Sequence, residues 1–143
     1  MQKFKFLEHT ADVKFQAFGS SLEKAFENSA LAMFNSMYSG KIKARIKKKI
    51  KISGKDYESL LYNFLEELLF LLDSKGFFLA SCKVKIKSYK KKNELTAELS
   101  GDYTKNYKIS LDVKAVTYNE MFVKRENKGK EKGKWICQVV LDV

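Results

Sequence analysis

One histidine, His9, two cysteines, Cys82 and Cys137, and two arginines, Arg45 and Arg125, are all that this chain has of those residue types. A single histidine excludes HExxH zinc sites and multi-histidine metal centres. The cysteines form no CxxC pair and each sits in a strand-like apolar pattern. That pattern predicts buried, reduced thiols rather than a disulfide or a metal site. Cysteine–histidine catalysis would need His9 to reach one of those buried sulfurs. The GxGxxG fingerprint, the Walker-type phosphate loop and the GxSxG elbow are also missing. No apolar run reaches the roughly 18 residues that a membrane span requires. The start, Met1 to Glu8, is basic but has neither a long apolar stretch nor a small-residue cleavage site, so no signal peptide is expected. A cytosolic protein with no membrane association and no familiar catalytic constellation is the expectation.

What the chain does have is enough apolar material for a core. At 143 residues it fits a single domain, 1–143, and 45% hydrophobic residues with eleven phenylalanines argue against disorder. The formal net charge of +11 points to an acidic partner, with nucleic acid the first candidate. That charge is almost all lysine, which attracts phosphate as a point charge but lacks the planar fork that reads bases. Much of it alternates along strands, as on a solvated outer face. Solvation is therefore the leading reading and weak attraction to RNA the second.

Residues Phe4 to Phe18 read as strand, interrupted by the polar run from Glu8 to Asp12. Ser20 reads as a helix N-cap with Glu23 completing a capping box, and Leu22, Phe26, Ala30, Met33 and Met37 follow at helical spacing before Gly40. Lys41 to Ile52 alternates with period two. A second helix spans about Asp56 to Asp73, with Gly76 as its stop. Only strands follow: Cys82 to Lys87, Leu95 to Leu99, a turn at Gly101-Asp102, then Tyr107 to Tyr118. Met121 to Arg125 and Trp135 to Val143 come last, joined by a lysine-rich loop. The order predicts an α+β fold with two helices packed on one face of a mainly antiparallel sheet.

Two short stretches carry chemistry worth weighing. His9-Thr10-Ala11-Asp12 breaks an apolar strand, and Asp142 interrupts the apolar run at the end of the chain, where Val143 carries the free carboxylate. Oxygen donors of this kind suit Mg²⁺ or Ca²⁺ rather than zinc. The plain alternative is that Asp12 caps a turn, Asp142 is solvated and His9 is structural. Taken alone, Lys114 is one lysine among many.

Five blocks, in order, change that balance: Phe6 to Val13 (FLEHTADV), Leu22 to Phe34, Leu68 to Phe78, Val113 to Tyr118 (VKAVTY) and Val139 to Val143 (VVLDV). Together they resemble the archease family over nearly the whole chain. The resemblance implies an accessory protein of the RtcB-type RNA ligase of tRNA splicing, promoting ligase guanylylation and repeated turnover without joining RNA itself. GTP would be used by the ligase and not bound here. The resemblance also implies an acidic site for a divalent cation at Asp12, Asp142 and the terminal carboxylate of Val143, with Lys114 as an activation-linked lysine. His9 is expected to support the loop. Lys14 stands where relatives often carry glycine or another uncharged residue, which would place a positive charge near the site; Asn119 stands where histidine is frequent, so no role passes to it. A basic RNA-binding or chaperone-like module, touching tRNA weakly, is the alternative.

Overall fold

The computed structural model describes residues 2–143. Its strands form two antiparallel sheets, with two helices packed against both. The elements are β1 (Phe4–Leu7), β2 (Val13–Gly19), α1 (Leu22–Met37), β3 (Ile46–Gly54), α2 (Tyr57–Lys75), β4 (Phe77–Tyr89), β5 (Lys92–Tyr103), β6 (Ala115–Arg125) and β7 (Trp135–Asp142). A four-stranded sheet runs β1-β2-β7-β6 and a three-stranded sheet runs β3-β5-β4. The expected α+β class holds, with the sheet present as two parts.

Local chemistry explains the helix limits. The N-cap of α1 is Ser21, not Ser20: its hydroxyl accepts the Lys24 N–H at 3.1 Å, which leaves Glu23 in the first turn rather than in a capping box. The helix stops at Met37 because Tyr38 turns to an extended backbone, before Gly40 is reached. In α2, Asp56 accepts the Ser59 N–H at 2.7 Å while Ser59 returns its hydroxyl to the Asp56 N–H at 3.2 Å. Gly76, with φ 62, closes that helix as expected.

Three strand expectations need correction. Lys41–Arg45 is not strand, and the ladder of β3 begins at Ile46. Gly101-Asp102 is not a turn but lies inside β5, where Gly101 lets the backbone of Phe78 approach; a Cβ there would stand 2.2 Å from the Phe78 carbonyl oxygen. Asp102 is buried but satisfied, accepting from the Tyr107 hydroxyl at 2.7 Å, the Tyr103 N–H at 2.8 Å and Asn106 at 3.2 Å. The chain turns just after it. Residues 107–114 then run without a ladder, and the two strands expected on either side of Tyr118 are one strand, β6, with a bulge.

The core sits where the layers meet. α1 packs on β2 and β4, and α2 on β3 and β6, so each helix touches both sheets. Phe15, Phe26, Phe34, Phe64, Phe77 and Phe78 are all at most 2% exposed and belong to one cluster. Each such side chain contributes roughly 1.5–3 kcal/mol on burial.

Candidate functional site

The site is built by register. β2 pairs with β7 up to Val13 opposite Leu141, and β6 pairs with β7 up to Ala115 opposite Asp142. Asp12 and Asp142 each lie one residue beyond the last β2–β7 pair, at the same end of the sheet. Lys114, next to the Ala115 that faces Asp142, is joined to it through the main chain, its N–H donating to the Asp142 carbonyl at 2.8 Å. Three segments far apart in sequence meet at one end of the sheet. Asp142 and Lys114 are exposed; Asp12 and Val143 are half-buried.

The loop carrying Asp12 is held from the β6 bulge. There, Tyr118 to Met121 lie between the pairs Thr117–Val140 and Phe122–Gln138, opposite Val139 alone. Glu120, on that bulge, accepts from His9 Nε2 at 2.8 Å and from Lys14 Nζ at 3.1 Å. The hydrogen bond from His9, then that from Lys14, holds the Glu120 carboxyl below the usual glutamate range. Its main-chain carbonyl accepts from Gln138 Nε2 at 2.8 Å, and Gln138 Oε1 in turn accepts from Gln16 at 2.9 Å. Two non-glycine residues have positive φ among the described residues, Ala11 (63°) and Glu120 (55°), and both lie here. Such backbone costs about 1–3 kcal/mol and concentrates where geometry matters more than stability.

Glu120, Gln16 and Gln138 escaped the sequence reading. The available signals were slight: Asn119-Glu120 interrupts an apolar run, and Gln138 sits inside an otherwise apolar strand. Lys14 keeps its charge neutralised by Glu120. Asn119 is exposed, its N–H 3.3 Å from the Thr117 hydroxyl.

His9 Nδ1 is buried, lacks a hydrogen-bond partner and lies 3.5 Å from Asp12 Oδ2. Because Nε2 must donate to the Glu120 carboxylate, a neutral His9 turns a bare lone pair toward Asp12. Among the described residues no three His, Cys, Asp or Glu side chains converge as a metal cage. The carboxylates of Asp12 and Asp142 are oxygen donors of the kind a hard cation takes, and a full shell would need further oxygens. An open depression of about 870 Å³ adjoins the loop, with His9, Thr10, Asp12 and Asn35 on its walls.

A sequence profile of the Archease protein family matches residues 4–143. A curated relative from Pyrococcus furiosus, named protein archease, is 37% identical over 146 residues, covering all of both chains. Another of that name, from Sulfurisphaera tokodaii, is 39% identical over 151 residues, again covering both in full. A solution structure of a Methanobacterium thermoautotrophicum protein superposes with a TM-score of 0.81 at 35% identity and full coverage of both chains.

Proposed function

This chain belongs to the archease family, and from that premise we propose that it is a cytoplasmic activator of an RtcB-type tRNA-splicing RNA ligase. It raises ligase guanylylation and turnover and performs no ligation itself. The observation that carries the reading is the meeting of Asp12, Asp142 and Lys114 across three chain segments at one exposed sheet end. Nothing in the core requires two aspartates and a lysine there.

In this reading Asp12 and Asp142, with Val143 next along the chain, would hold Ca²⁺ or Mg²⁺. When bound, such an ion neutralises the carboxylates and offers a Lewis-acidic face to a phosphate or carboxylate oxygen. The chain's own residues prepare the place. Glu120 anchors His9 and Lys14, so the loop presents Asp12 from a fixed backbone. Gln138 fixes Glu120, and β7 carries Gln138 and Asp142 on one strand, so bulge and carboxylate share a frame. Lys114 has its main chain locked to Asp142 and its side chain free in solvent, suited to meet an anionic group of the ligase or its nucleotide.

The reading is tested with catalytic ligase, excess RNA, GTP and this protein. Many turnovers per ligase are expected with it, and a burst followed by arrest without it. An unchanged burst in its presence contradicts the proposal, and so does ligation by this protein alone.

A further inference from the structure

The three-stranded sheet turns its lysines to solvent in an order that no single strand reveals. Register puts Lys49 of β3, Glu98 of β5 and Lys83 of β4 in one row, and Lys51, Thr96 and Lys85 in the next. Directly opposed residues of an antiparallel ladder share a face. Lys47, Lys49 and Lys51 thus make one exposed line and Lys83, Lys85 and Lys87 another, with β5 running between them. The lines lie about 9.6 Å apart, twice the strand spacing, and lysines within each recur about every 6.8 Å. Two adjoining depressions, of about 430 and 330 Å³, lie along this face, with Thr96 and Glu98 exposed and Ser100 half-buried in them.

The charge there is poorly neutralised. Lys51 reaches Glu94 at 3.5 Å and Lys47 reaches the Ser100 hydroxyl at 3.1 Å, while Lys49, Lys83, Lys85 and Lys87 make no ion pair among the described residues. A face built only for solubility intersperses both signs. This one sets six lysines in two parallel lines, with Glu94 and Glu98 on β5 between them, so cations outnumber carboxylates. We propose that the groove binds the phosphate backbone of single-stranded RNA lying along β5.

Cations on both sides of one line, a strand's width away, reach a single backbone from both flanks, and the repeat within each line is of the order of the spacing of successive phosphates in an extended strand. All six are lysines, so contact is electrostatic and independent of sequence. Tyr89, 52% exposed at the end of β4 and in phase with Lys83, Lys85 and Lys87, offers a ring for a base at one end of the groove. Glu98 opposes the backbone and weakens the site. The inference stands apart from the ligase-activator reading, whose residues lie on the other sheet.

The test is fluorescence anisotropy of the full chain with a labelled single-stranded oligoribonucleotide of mixed sequence. The logarithm of affinity should fall with the logarithm of salt with a slope of about −0.7 per phosphate engaged, so about −4 for six lysines. The triple variant Lys49→Gln/Lys83→Gln/Lys85→Gln should lose at least about tenfold in affinity and about two units of that slope. Lys49→Arg/Lys83→Arg/Lys85→Arg should bind at least as tightly as the parent, and Glu98→Gln should bind more tightly. Lys128→Gln/Lys130→Gln/Lys132→Gln, which removes equal charge from the β6–β7 loop, should change affinity little. Equal loss from both glutamine triples overturns the groove in favour of diffuse attraction. Tighter binding of a duplex overturns its specificity for single strands. Displacement of RNA by polyglutamate at equal charge overturns it in favour of an acidic protein.

Discussion

Glu120 Oε2 lies 2.8 Å from His9 Nε2, joining the bulge of β6 to the loop between β1 and β2 across 111 positions of sequence. A carboxylate only accepts, so this contact places the proton of His9 on Nε2. It makes His9 a positioning residue for Asp12, three residues on, and makes the bulge part of the site.

Glu120→Gln keeps the shape but removes the charge that holds both His9 and Lys14. Amide hydrogen exchange should quicken in residues 8–12 while the core helices stay protected, because the core owes nothing to this pair. Ligase activation should fall but not vanish, since Asp12 and Asp142 remain. Unchanged exchange in the loop contradicts the anchoring role.

The same carboxyl sets a pH dependence. Its pKa is lowered in the fold, so the stabilisation it brings is fully present above the ordinary glutamate value of about 4.3 and is lost as pH falls through the lowered one. A carbon-detected titration should show Glu120 protonating below the ordinary glutamate value, with the His9 ring signals moving in step. Titration of Glu120 at the ordinary glutamate value refutes the linkage.

Gln138→Ala removes the donor to the Glu120 carbonyl and the acceptor for Gln16. A cost of about 1–2 kcal/mol in urea unfolding is expected, from hydrogen bonds lost on a largely buried side chain. Gln16→Ala should cost less, because only the outer bond of the pair goes. The reverse order contradicts the relay.

Burial pushes the thiols of Cys82 and Cys137 up to about 12, and both cysteines are free. A thiol reagent at neutral pH should label Cys137 only as fast as the protein unfolds, and labelling should not change on adding reductant. Rapid labelling of the native protein, or a requirement for reductant, contradicts this placement.

The layers of this fold were legible where one local force dominates. The periodicity of Leu60, Phe64, Leu65 and Leu68 and the left-handed stop at Gly76 marked α2 closely. Boundaries failed where two adjacent residues compete for one task, as Ser20 and Ser21 do for the cap, or where a glycine serves close approach rather than a turn, as Gly101 does. Asp12 and Asp142 drew notice as polar breaks in apolar strands, but only the family resemblance favoured them as a site, and Lys114 stood out through that resemblance alone. Their juxtaposition depends on the order β2-β7-β6, which no local pattern encodes. Glu120 was invisible because its importance rests on a bulge, a register property of two paired strands.

The central claim is that Asp12 and Asp142 form one cation-dependent site that activates the ligase, with Lys114 acting beside it. The most direct measurement is ligase turnover under excess RNA, run in parallel with calorimetric titration of Ca²⁺ or Mg²⁺ into Asp12→Ala, Asp142→Ala and Lys114→Ala. Both aspartate variants should lose activation and cation affinity together while melting close to the parent, since partly exposed carboxylates contribute little to the core. Lys114→Ala should lose activation and keep the cation. Full activation with undiminished cation affinity in both aspartate variants would contradict the account.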